Sequence, residues 1–191
     1  MIRRLDVELI YPVNQKSMSD KIDSVFTSIH SLISSYRKIN FKSMSIMQSM
    51  GYNGFKRWHR FNSKCLFKME LCLANELYDK FRIPPSFKDV DLGYSVSTME
   101  EHLKSWEAFI LSSVQELGKL AMEYYQLTGT SCRIIYKLMD MMEYDFEKVG
   151  KYLKRFNESD WLALDVHIVD DFLHEKYKKK EMKRGKESRT A

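Results

Sequence analysis

The sequence predicts an all-α protein, a bundle of long helices with no sheet. Breakers are scarce: 191 residues hold three prolines (Pro12, Pro84, Pro85) and seven glycines. Apolar residues recur at spacings of three and four over long stretches, the signature of a helix with one buried face. Strand-like alternation is confined to RLDVELIYP near the start, where Pro12 limits it.

The first helix should begin near Ser17 to Asp20, where SMSD offers N-cap side chains. Ile22, Val25, Phe26, Ile29, Leu32, Ile33 and Tyr36 follow at helical spacing, and apolar character continues through Phe41, Met44 and Met47. MGYNG at 50–54 is a turn by composition. A second helix runs from about Phe55 to Phe81 and is stopped by IPPS. Residues 86–97 then form a long connection, enough to carry the chain along the length of a bundle, whereas a short loop would join antiparallel neighbours.

The third helix starts at Ser97 or Thr98 with Glu100 and Glu101 behind it, a capping box. It carries Leu103, Trp106, Phe109, Ile110, Val114, Leu117 and Leu120, and LTGTS turns the chain. The fourth carries Ile134, Ile135, Leu138, Met142, Val149 and Leu153, and NESDW breaks it with Ser159 or Asp160 as the next cap. A short fifth helix over WLALDVHIVDDFL completes the plan. The domain reading is an N-terminal arm (1–16), a four-helix bundle plus short fifth helix (17–175), and a basic, disordered tail (176–191).

Hydrophobic residues are 44% and charged residues 30%, a globular balance that can fill one core. Three cysteines (Cys65, Cys72, Cys132) are an odd set without a CxxC pair, which fits reduced thiols in a cytoplasmic protein better than a disulfide framework or zinc site. No apolar run is long enough to span a bilayer, so no membrane partner is expected, and the N-terminus makes a poor signal peptide.

Charge is unevenly spread. Residues 24–69 hold no Asp or Glu, while Arg37, Lys38, Lys42, Lys56, Arg57, Arg60, Lys64 and Lys68 recur through them. KYKKKEMKRGKESR at 176–189 carries more than the whole net charge of +5. These two features admit an alternative role as a non-enzymatic interaction or nucleic-acid-associated bundle, resting on the tail and the basic first helices.

Part of the chain resembles ferritin. SMSIMQSMGYNGFKRW at 43–58 is similar to the end of a ferritin first helix, its glycine-containing turn and the start of its second helix. SWEAF at 105–109 is similar to the third-helix segment that carries a metal-binding Glu, and NESDW with the helix after it resembles the approach to the fifth. The similarity spans roughly Met18 to Leu173. It implies the ferritin-like layout, with a long crossover between helices 2 and 3. It also implies an iron connection and a homo-oligomer, in the family a shell of about 24 subunits, formed alone or by co-assembly with active subunits.

Carried over by position, the ferritin di-iron site is degraded. The first-helix Glu falls at Ser34, with Ile33 the alternative, and the tyrosine seven residues on falls at Phe41. The second-helix Glu-x-x-His pair falls at Leu66 and Met69, with Cys65 beside it. Glu107 keeps the third-helix carboxylate, and Asp140, Glu143 and Asp145 are the fourth-helix candidates. Ferrous and ferric iron take carboxylate oxygen and imidazole; leucine has no lone pair and methionine sulfur is soft. At most one weak iron site remains, at Glu107 and a fourth-helix acid, and iron would be bound weakly or indirectly. The reading leans away from an enzyme, with no catalytic residue assigned.

Methionine is abundant, but at helical spacing it reads as core packing, so no haem is expected. Leu66, Met69 and Phe146 would fill the vacated metal pocket. His30 and His59 stand isolated on basic helices; His167 and His174 fall seven apart on the fifth segment. No phosphate loop, nucleophile elbow or HExxH is present.

Overall fold

The structure is a computed structural model that describes residues 13–88 and 90–187, with side chains from 18 to 183. The described chain is all-helical, with α1 (Val13–Ser49), α2 (Asn53–Phe81), α3 (Met99–Thr128), α4 (Arg133–Glu158) and α5 (Ala163–Glu187). Helix α1 is already formed at Val13, several residues before the SMSD cap; the rest of the predicted N-terminal arm lies outside the described residues.

Local chemistry sets most boundaries. Gly51 takes φ +83° in the three-residue turn between α1 and α2. Arg82 closes α2 in the left-handed region at φ 56°, just before Ile83 and the two prolines. Thr98 caps α3 by accepting from the Glu101 N–H at 3.1 Å, while the Glu101 carboxylate accepts from the Ser97 N–H at 2.8 Å. Gly129 ends α3 at φ 66°.

Contacts define how the helices run. Phe26 meets Phe81 and Asn40 meets His59, so α1 and α2 are antiparallel. Trp58 meets Trp106 and Phe81 meets Tyr124, so α2 and α3 are parallel. Residues 82–98 therefore return along the bundle, packed on α1: Phe87 stacks on His30, and the Lys38 and Lys42 ammoniums donate to the Val90 and Leu92 carbonyls. Trp58 reaches Asp145 and Phe55 reaches Tyr152, which makes α4 antiparallel to α2.

The fifth helix corrects two expectations. It is 25 residues long rather than short, and it runs through most of the segment expected to be a disordered tail. Residues 188–191 lie outside the described residues. The cause is a buried stripe, Val166, Val169, Asp170, Leu173 and Tyr177, at spacings that keep one helical face against α2. Tyr177 lies inside the lysine run, stacks on Trp58 at 6.1 Å and packs on Phe61 at 5.4 Å. Two of the lysines hold their ammonium groups over aromatic rings, Lys176 over Tyr144 at 5.2 Å and Lys180 over Phe61 at 4.9 Å and Tyr177 at 5.0 Å.

Where α5 crosses the start of α2, Gly54 allows the two backbones to touch. A Cβ there would sit 1.8 Å from the Asp170 carbonyl oxygen. Tyr52 offers no side-chain cap to α2; the Asp170 carboxylate accepts from the Phe55 N–H at 2.9 Å instead.

Candidate functional site

Among the described residues, two clusters of hydrogen-bonded side chains lie in the bundle interior, both built on α2. The first centres on Asp145 of α4, 1% exposed. Trp58 Nε1 donates to its Oδ1 at 3.0 Å, Asn62 Nδ2 donates to its Oδ2 at 2.6 Å, and the Tyr36 hydroxyl of α1 donates to the same Oδ2. Burial pushes the Asp145 carboxyl up to about 7, against the three donors and Lys180, which favour the charged form. Burial, then the Asp145 charge, raises the Tyr36 phenol well above its ordinary value.

The second is a histidine pair. His59 Nε2 and His102 Nε2 of α3 are 2.9 Å apart. His59 Nδ1 lies 2.8 Å from Asn40 Oδ1, and His102 Nδ1 lies 2.6 Å from the Tyr94 hydroxyl. Asn40 Nδ2 donates to the Tyr36 carbonyl at 2.9 Å, so its Oδ1 is the acceptor for His59 Nδ1–H. The order of donation then follows: Tyr94 O–H to His102, His102 Nε2–H to His59, His59 Nδ1–H to Asn40. Every member is neutral. Burial holds His59 well below its ordinary value, with repulsion from His102 in its protonated form as the second cause, and burial takes His102 down to about 3.

The arrangement closes on itself. Each histidine ring nitrogen and both Asp145 oxygens already have protein partners. Among the described residues no three His, Cys, Asp or Glu side chains gather to hold a metal ion.

The positions singled out in the sequence are spread across several surfaces. Ser34 and Leu66 are buried, whereas Cys65 and Met69 are half-buried on the side of α2 that faces a cleft. Glu107 is half-buried, its Oε1 facing Gly150 of α4. Asp140 and Glu143 are exposed; Asp145 alone of the fourth-helix candidates points inward. Phe41 is 63% exposed and Phe146 37%, so neither fills a central pocket. Near Phe41 on α1 the aromatic that faces the core is Tyr36. His59 is not isolated but is the centre of the second network. His174 Nδ1 lies 3.3 Å from Arg57 Nε, and His167 packs on Tyr52.

Sequence reasoning passed over His102, Asn40 and Asn62. Each sits in register with the apolar stripe of its helix, Asn62 between Phe55, Trp58 and Leu66, and His102 between Met99, Leu103 and Trp106. A polar residue in a buried stripe needs a partner from another helix, and that signal was available.

The basic residues of the acid-free stretch largely find partners within the chain. Arg37 pairs with Glu70 at 2.9 Å, and Arg57 pairs with Glu181 of α5 at 2.7 Å, with Arg60 and Lys64 each 3.8 Å from the same carboxylate. No helix among the described residues is long and apolar enough to cross a membrane. No family model matches the chain, and no curated protein matches it.

Proposed function

We propose that this chain is a non-catalytic, ferritin-like bundle subunit that serves as a structural or iron-storing component of an assembly, without an iron-oxidising centre of its own. The observation that carries this is the state of Asp145. The most buried acid of α4 spends its oxygens on Tyr36, Trp58 and Asn62, three donors from two other helices. A carboxylate serving iron would keep lone pairs for the ion and would have carboxylates or imidazoles facing it; here it faces a phenol, an indole and an amide.

The layout supports the same reading. Helices α2 and α3 are parallel, and a long connection returns beside α1, as the sequence resemblance implies. Large apolar side chains remain on outer faces, among them Phe41, Phe67 and Leu71 on α1 and α2, and Leu164, Ile168 and Phe172 on α5. Apolar surface of this kind suits subunit contacts. The nucleic-acid reading draws less support, because Arg57, Arg60 and Lys64 converge on Glu181 and Arg37 on Glu70.

Light scattering and ferrous oxidation test it together. A particle of many subunits is expected, with Asp145→Asn and Glu107→Ala leaving any iron oxidation unchanged. A monomer would sink the assembly part. A rate lost in Asp145→Asn, with the fold intact by circular dichroism, would show that a working centre exists.

A further inference from the structure

A cleft of about 330 Å³ opens between α2, α4 and α5, at the small end of the range for ligand sites. Its walls are apolar and adaptable, including Phe61, Met69 and Met141, while Asn62 and Asp145 form its floor. Lys137 and Lys180 line it, as does Tyr144. Three ammonium groups surround the Tyr144 ring: Lys148 at 5.5 Å, Lys176 at 5.2 Å and Lys180 at 5.7 Å from its centroid. The Lys176 ammonium also donates to the Tyr144 hydroxyl.

None of Lys137, Lys148, Lys176 and Lys180 has a carboxylate within ion-pair distance among the described residues, although Arg57, Arg60 and Lys64 nearby converge on Glu181. Two acids lie on the lining. Asp145 is taken up by its three donors, and Asp140 offsets only one of the four ammonium charges. The cleft therefore has excess positive charge at its rim and an apolar wall beneath. Charge of one sign beside low-dielectric walls attracts the opposite ion.

We propose that this cleft binds a small organic carboxylate with an apolar body, its carboxylate placed between Lys180 and Lys137 and its body against Met69, Met141 and Phe61. The site shares Asn62 and Asp145 with the polar interior, whose hydrogen bonds it leaves in place, and it does not depend on assembly or on iron.

The test is calorimetric titration of the full chain with octanoate, and with octylammonium, octanol and inorganic phosphate at the same ionic strength. Octanoate should bind saturably. The cation and the alcohol should bind at least tenfold more weakly for want of charge complementarity, and phosphate at least tenfold more weakly for want of an apolar body. Lys180→Glu should weaken octanoate tenfold or more. If that variant misfolds, Lys137→Glu, at an exposed position, carries the same expectation, and Lys154→Glu on the far surface of α4 should bind as the parent does. Met141→Trp should fill the cleft and abolish binding. Absence of octanoate binding, equal binding of octylammonium, phosphate binding as tight as octanoate, or affinity unchanged by both the lysine and the Met141 substitutions would each overturn the proposal.

Discussion

Helix α2 has two working faces, and they solve the burial of polar groups in opposite ways. The inward face presents Trp58, His59 and Asn62 to α1, α3 and α4, where the bonds join neutral donors and acceptors around a carboxyl whose charged form burial disfavours. The face toward α5 presents Gly54, Arg57 and Phe61, where backbones touch and full charges pair at the edge of solvent. Depth accounts for the difference. Water still reaches the Arg57–Glu181 pair, 30% and 20% exposed, so both ions keep part of their hydration; Asp145 and His59 have none to keep. The contrast also explains the acid-free stretch. Four of its cations, Arg37, Arg57, Arg60 and Lys64, meet acids that lie outside it in sequence, Glu70 and, from α5, Glu181.

If the inward face depends on satisfied donors, removing its acceptor should do the most damage. Asp145→Ala strands the Tyr36 hydroxyl, the Trp58 N–H and the Asn62 amide in the core. Each buried unsatisfied donor costs about 1–3 kcal/mol, so a loss of about 4 kcal/mol in urea unfolding is expected. A loss under about 1 kcal/mol would mean that water reaches the cluster and that depth is not what separates the faces.

The α5 face should be most sensitive to bulk. Gly54→Ala places a methyl carbon 1.8 Å from the Asp170 carbonyl oxygen and 2.8 Å from the His174 nitrogen, both backbone atoms that cannot rotate away. Helix α5 must shift, at about 3 kcal/mol, and the Asp170 cap on Phe55 N–H is strained with it. Limited proteolysis should release α5 first. Equal stability and equal protease resistance would show that α5 is not docked through this contact.

How much of this was legible in the sequence divides along the same line. The α1–α2 turn, the Thr98 cap and the Gly129 stop were readable because neighbours in sequence determine them. The inward register of α4 was readable in principle: Leu138, Met142, Asp145 and Val149 form one stripe, which selects Asp145 over Asp140 and Glu143. The length of α5 was obscured because the stripe that ends at Tyr177 enters a run of lysines, and composition there reads as a tail. The His59–His102 contact joins residues from two helices whose relative rotation no local pattern reports. The carry-over from ferritin also put the family's tyrosine position at Phe41, whereas Tyr36, five residues earlier, faces the core.

Acid titration should separate the two networks of the inward face by sign. The histidines are neutral when folded and ordinary, near 6.5, when unfolded. Below pH 6.5 the unfolded chain takes up two protons that the folded chain refuses, so their contribution is lost as pH falls. Asp145 is raised from an ordinary 3.8 to about 7, so the folded chain holds one proton that the unfolded chain lacks. Its contribution is present in acid and lost as pH rises through 7. Between pH 4.5 and 5.5 the balance is about one proton, a fall of about 1.4 kcal/mol for each pH unit of acidification. Asp145→Asn removes the offset and should make the fall nearly twice as steep. A flat profile over this window would mean that the histidines are protonated in the folded protein or open to water.

The smallest effect expected is at the ion cluster of the α5 face. Glu181 meets Arg57 at 2.7 Å and lies 3.8 Å from Arg60 and from Lys64, so three cations share one carboxylate. Geometry alone suggests a strong contact, yet all three cations are at least 30% exposed and screened by solvent. Glu181→Gln should cost about 1 kcal/mol or less in low salt and nearly nothing in 1 M sodium chloride. The Gly54→Ala loss should survive the same salt, because steric contact is not screened. If Glu181→Gln instead costs as much as Gly54→Ala and is indifferent to salt, the cluster is effectively dry, and the two faces of α2 would follow one rule rather than two.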